Sequence, residues 1–101
     1  MPVLSYASLD DVRRCIKQRR LMRFMYRKEE VVAEPYLFGN FRKTHAFVLC
    51  AWKVRPDEGW EYFRLAEMRD LDILVDSFGT ARQGFNPYDP KIEIIDTLVR
   101  I

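Results

Sequence analysis

Residues 45–52, His-Ala-Phe-Val-Leu-Cys-Ala-Trp, are the longest run of small, branched and aromatic residues in the chain. The run is far shorter than the roughly 20 apolar residues of a membrane-crossing helix. It also carries no helix start signal, and a continuous run of this kind fits a central strand covered on both faces. Only Lys53 separates it from Val54. Downstream, Arg55-Pro56-Asp57-Glu58-Gly59 puts Pro and Gly where a turn wants them. Trp60-Glu61-Tyr62-Phe63-Arg64-Leu65 then supplies a return strand. The two make a hairpin, and the other strands are expected to wrap around it.

Upstream, Ser8 and Asp11 form a helix-start pattern, a hydroxyl to cap the first turn and a carboxylate near the positive helix end. Leu9, Val12, Cys15 and Ile16 follow at helical spacing, with Arg13, Arg14, Lys17 and Arg20 elsewhere on the wheel. The spacing predicts an amphipathic helix from about 9 to 19. At Leu21 the period changes to two: Met22, Phe24 and Tyr26 alternate with Arg23, Met25 and Arg27, which is a strand with one drier face. Arg27-Lys28-Glu29-Glu30 is a charged turn before a second strand over 31–38. Pro35 lies inside that strand and donates nothing to a ladder, so it belongs at an edge or a bulge.

Past the hairpin, residues 66–70 fit a single helical turn and 71–75 a short fifth strand. Residues 79–90 hold Gly79, Gly84, Pro87 and Pro90 without a period, and read as a loop pinned by Phe85 and Tyr88. The tail, 91–101, is β-branched and mostly alternating. It is a strand that joins its own sheet or pairs with another copy across an exposed edge. The whole is one domain with its core over about 9–78.

Charge is unevenly placed. Residues 1–55 hold 12 Lys/Arg against 5 Asp/Glu, and residues 56–101 hold 5 against 10. The basic part has two readings: an anionic partner, or attraction between the two surfaces within one molecule or between subunits. Cys15 and Cys50 sit in apolar patterns and read as packed thiols rather than a disulfide. Met1-Pro2-Val3-Leu4-Ser5 has neither the basic start nor the apolar stretch of a signal peptide, so the cytoplasm is the expected compartment, with no membrane partner.

The helix is followed in order by Leu21-Met22-Arg23-Phe24-Met25-Tyr26, Val31-Val32-Ala33-Glu34-Pro35-Tyr36-Leu37, Phe47-Val48-Leu49-Cys50-Ala51-Trp52 and Tyr62-Phe63-Arg64-Leu65. This order and spacing resembles the WYL domain family over about 9–78. The resemblance implies a small Sm-like, SH3-type β-barrel behind an N-terminal helix: mainly β, about five strands plus the C-terminal strand. It also implies a ligand-sensing role in bacterial transcription regulators and defence-associated proteins, with nucleic acid as the ligand in some members. The chain departs from the family at three points. The eponymous Trp-Tyr-Leu is Phe47-Val48-Leu49, and Glu67 stands where the family often has a second arginine. No segment reads as the helix-turn-helix that most members carry.

Arginine suits phosphate because its planar fork makes two aligned hydrogen bonds and stays charged. Arg64 matches the family's arginine and sits on a strand, so it is the leading candidate; its alternative is an ion pair with Glu34. Arg19, Arg20 and Arg23 straddle the helix-to-strand corner, and Arg42, Lys43 and His45 approach the central strand. With Tyr26, Tyr36 and Phe41 they offer charge and stacking faces for a single strand. No catalytic constellation, metal-ligand spacing or Gly-rich phosphate loop is present, so neither enzyme chemistry nor a cofactor is expected. The expectation is a regulatory module that binds an anionic ligand, single-stranded nucleic acid or a nucleotide, and acts through a partner protein. The alternative is a structural module that self-assembles, as a homodimer or larger, through its C-terminal strand.

Overall fold

The computed structural model describes residues 6–100. Residues 1–5, read above for an export signal, and Ile101, the end of the expected tail strand, lie outside the described residues. One helix, α1 (Leu9–Lys17), precedes β1 (Arg20–Tyr26), β2 (Glu29–Phe41), β3 (Phe47–Arg55) and β4 (Gly59–Arg64). A single 3-10 turn (Leu65–Glu67) leads to β5 (Met68–Ser77), and β6 (Ile92–Leu98) closes the order. The fold is mainly β with one N-terminal helix, as expected, in one antiparallel sheet of six strands. The main path runs β4-β3-β2-β1-β5, with β6 added to β2. No ladder among the described residues joins β4 to β5, so the sheet is open rather than a hydrogen-bonded barrel. No helix among these residues is long and apolar enough to cross a membrane.

The hub of the sheet is β2, not the hydrophobic run that became β3. One edge of β2 pairs with β3; along the other, β1 pairs with residues 29–33 and β6 with residues 37–41. Every residue from 31 to 39 is buried as a result. Pro35 falls in the gap between β1 and β6, beside a bulge in the β3 ladder. A residue without an N–H is tolerated there inside a central strand, which is the bulge reading rather than the edge one. The tail strand thus joins its own sheet.

The alternation in β1 turns Met22, Phe24 and Tyr26 inward, where they meet Tyr36, Phe38, Leu49 and Phe63. Helix α1 lies over this core with Val12, Cys15 and Ile16 buried; burial of Val12 and Ile16 contributes roughly 2 kcal/mol each. Its start is as expected, since Ser8 Oγ accepts the N–H groups of Asp10 and Asp11 at 3.1 and 3.4 Å. Its end comes earlier, at Lys17, because Arg19 turns into the left-handed region at φ 53°. Both cysteines are free thiols. Burial pushes Cys15 up to about 12 and Cys50 up to about 11.

Other boundaries moved for local reasons. The β1–β2 turn is the pair Arg27-Lys28, at φ 50° and 69°, and Glu29-Glu30 already belong to β2. Two positive φ values match the strand twist of a tight hairpin, but Asn or Gly usually supplies them. The helical turn shrinks to residues 65–67, and β5 extends beyond both ends of the expected 71–75.

Candidate anion-binding cleft

At one end of the sheet the β2–β3 turn, the last residue of β4 and the residues before β6 converge. They enclose a cleft of about 410 Å³ lined by Phe41, Arg42, Lys43, Thr44, Arg64, Pro90 and Lys91. Four cations thus share one concavity whose floor includes the apolar faces of Phe41 and Pro90. Against such a floor a charge is poorly screened, so an anion there interacts more strongly than on an open surface.

Arg64 is held from behind. Its N–H donates to the Tyr26 hydroxyl at 3.1 Å. Tyr26 itself is packed edge-on against Phe24 and Phe63, with ring centroids 6.3 and 5.0 Å away. The Arg64 side chain is exposed and has no carboxylate within ion-pair distance among the described residues. Glu67, whose carboxylate feels the Arg64 charge, is occupied bidentately by Arg27 at 2.8 and 3.0 Å. Glu34, the alternative partner read from sequence, pairs with Arg82 instead.

Arg42 is partly structural. Its Nε and Nη2 donate to the carbonyls of Pro90 and Ile92 at 3.2 and 3.3 Å, and Nη1 lies 3.9 Å from Glu93. Lys43 is exposed and forms no ion pair among the described residues. His45 lies beside the cleft in the left-handed region, φ 61°, with Nδ1 3.1 Å from Glu93. Lys91 places its ammonium 5.4 Å from the centre of the Tyr62 ring. Arg64 also borders a neighbouring groove of about 320 Å³ lined by Tyr6, Ala7, Ala46, Phe47, Leu65 and Ala66.

Of the ten residues singled out in the sequence, Phe41, Arg42, Lys43 and Arg64 line the cleft, and His45 lies beside it, sharing Glu93 with Arg42. Tyr26 supports the cleft from the core and offers no open stacking face, being 8% exposed. Tyr36 is buried too. The helix-to-strand arginines lie elsewhere, on the β1–β5 flank, separated from β4 by β2 and β3. There Arg20 donates to Leu74 O at 2.6 Å, Arg23 is bound to Asp72 at 2.8 Å, and the exposed Arg19 gives its carbonyl to Phe78 N–H. Sequence reasoning missed Lys91, whose only signal was its place beside Pro90 at the start of the tail.

The charge division of the sequence resolves in part within the molecule. Arg13, Arg23, Arg27, Arg42 and Lys53 each meet an acid from residues 56–101. Lys43 and Arg64 stand outside that compensation, as do Lys17, Arg19, Arg20, Lys28 and Arg55 among the described residues, but only Lys43 and Arg64 of these line the cleft. A larger cleft, about 560 Å³ between α1 and β6, is lined by Arg13, Lys17 and Arg100. Its arginine at position 13 is already bound to Asp96 and Asp10, so it is a weaker anion site. Compared with protein-family models, curated proteins and solved structures, the chain matches none.

Proposed function

We propose that this chain is a non-enzymatic, cytoplasmic regulatory module that binds an anionic ligand in the Arg42–Lys43–Arg64–Lys91 cleft. The observation that carries this reading is the state of Arg64. It is exposed, fixed at its backbone by a buried tyrosine, without an ion-pair partner among the described residues, and surrounded by three more cations. The apolar groove beyond Arg64 favours a ligand that couples phosphate to a flat apolar group, a nucleotide or a single-stranded nucleic acid, over a bare polyanion. The order of strands and the Phe63-Arg64-Leu65 segment support a WYL-like module. In this reading the bound state is passed on through a partner protein.

Titration of a fluorescein-labelled oligothymidylate at two salt concentrations, followed by polarisation, tests this. Affinity falls with salt, with a slope of about 0.7 per phosphate contact. Absence of salt-sensitive binding at low ionic strength overturns the reading.

A second reading has its own observation. Ile94 and Ile95 of β6 are 59% and 43% exposed, and β6 forms a ladder with β2 alone. Such an edge is a template for pairing with another copy. A single concentration-independent monomer mass, unchanged in Ile94→Lys, removes this reading.

A further inference from the structure

We infer that Asp89 is a positioning residue of the cleft, holding Lys91 on its wall together with Tyr62; this rests on the anion-binding reading above. The wall is formed by Pro90 and Lys91, which precede β6 and belong to no strand. Arg42 holds their carbonyls, its N–H donating to Lys91 O at 2.8 Å and its Nε to Pro90 O at 3.2 Å, and the Asp89 carboxylate holds the other side. One oxygen of Asp89 accepts the Tyr62 hydroxyl, and the other accepts the Lys91 N–H at 2.9 Å. The Asp89 carbonyl then receives Ile92 N–H at 3.1 Å, so β6 starts from the same residue.

Tyr62 connects this anchor to the rest of the site. It stands two residues before Arg64 on β4, so the two side chains leave the strand on the same side. Its ring lies 5.3 Å from that of Phe41 and 5.4 Å from the Lys91 ammonium. Burial, and then the adjacent Asp89 carboxylate, raise the Tyr62 phenol well above the ordinary tyrosine range, so the hydroxyl remains a donor. None of these contacts uses the outward faces of Arg64 or Lys43.

The sign of the mutational effect separates positioning from simple charge. A carboxylate beside a cationic cleft repels an incoming phosphate, so its neutralisation strengthens binding if only the field matters. An alanine at this position accepts neither the Tyr62 hydroxyl nor the Lys91 N–H, whereas an asparagine keeps both contacts, its oxygen accepting from Lys91 and its amide donating to the phenol oxygen. In Asp89→Ala Lys91 keeps only the bond from Arg42 N–H to its carbonyl, its ammonium loses its fixed place, and binding weakens despite the gain in positive charge.

The probe is again fluorescein-labelled oligothymidylate, titrated across a salt series. Asp89→Ala and Tyr62→Phe each weaken binding about three- to tenfold and flatten the salt slope by about 0.7, the loss of one phosphate contact. Lys91→Ala does the same, and adding Tyr62→Phe to it has no further effect. Tighter binding by Asp89→Ala, or an unchanged slope, overturns the inference. Hydrogen exchange of the Lys91 and Ile92 amides, measured without any probe, accelerates in Tyr62→Phe while exchange in β3 stays constant. Unchanged exchange also overturns it. A wild type that ignores the probe, with exchange still accelerated in the variant, overturns the anion-binding reading and leaves Asp89 as the anchor of the wall.

Discussion

Arg82 grips Glu34 with both ends of its fork: Nε and Nη2 lie 3.0 and 2.9 Å from the two carboxylate oxygens. Glu34 is 5% exposed and also accepts the Tyr36 hydroxyl at 3.1 Å. The same hydroxyl accepts Arg82 N–H at 3.1 Å, and the guanidinium lies 5.3 Å from the centre of a Trp52 ring. This closed set of contacts ties the loop between β5 and β6 to the middle of β2. Trp60 adds to it by donating Nε1–H to Gln83 O at 2.8 Å.

Removing the arginine leaves a buried carboxylate short of donors. Arg82→Ala therefore costs about 2 kcal/mol of stability, the range for an orphaned buried acceptor. Glu34→Gln costs less, because its amide oxygen still accepts from Tyr36 and Arg82. Urea midpoints at constant m-value report both changes. Equal losses in the two variants contradict the account.

Much of the fold was legible because period and burial agree. Met22, Phe24 and Tyr26 alternate in sequence and all point into the core. Ser8 caps the helix that its spacing announces. The position of β2 was not legible, because a strand covered on both faces looks like any other apolar run, and pairing is a matter of tertiary geometry. The charged turn at 27–30 was legible, but not its tightening to Arg27-Lys28, because cations occupy a backbone conformation that glycine or asparagine normally signals. For the cleft, residue type located Arg42, Lys43 and Arg64. It could not tell them from Arg23, whose partner Asp72 is 49 residues away in the chain, nor bring Lys91 back across the loop.

That distinction makes a paired test. Arg64→Ala lowers oligonucleotide affinity about tenfold, since a charge-assisted contact is worth about 1.5 kcal/mol or more, and reduces the salt slope by about 0.7. Arg23→Ala changes neither, because its guanidinium is spent on Asp72, on the β1–β5 flank. Polarisation titrations of the two variants side by side check this, and a matching loss in Arg23→Ala contradicts the assignment.

Acid should loosen the contact between α1 and β6. Hydrogen bonds from Arg13 hold Asp96 down to about 2, against an ordinary value of 3.8. A carboxylate whose folded value is depressed stabilises fully above its unfolded value and loses that contribution as pH falls through the folded one. The contribution is therefore complete above about pH 5 and fades toward pH 2. With the side chain 21% exposed, about 1 kcal/mol is a reasonable size. Asp96→Asn is less stable than wild type by that amount at pH 6, and the gap closes by pH 2. Urea denaturation at the two pH values measures it; a constant gap means that the pair contributes nothing through charge.

Gly39 fixes how close β6 approaches β2. A Cβ built there falls 2.2 Å from the Ile94 carbonyl oxygen and 3.0 Å from the Ile92 side chain. The first atom is backbone within a ladder, so it cannot swing aside, and the strand itself must move. Gly39→Ala is expected to cost about 2 kcal/mol, in the range of overpacked cores. The loss falls on β6: exchange of its amides accelerates, while the β1–β2 and β3–β4 ladders keep their protection. Because Ile92 N–H hangs from Asp89 and Lys91 directly precedes β6, a displaced strand also shifts the cleft wall. Oligonucleotide binding then weakens in step with Lys91→Ala. A Gly39→Ala variant with wild-type stability and unchanged exchange in β6 means that the strand already has room for a methyl group and does not set the wall.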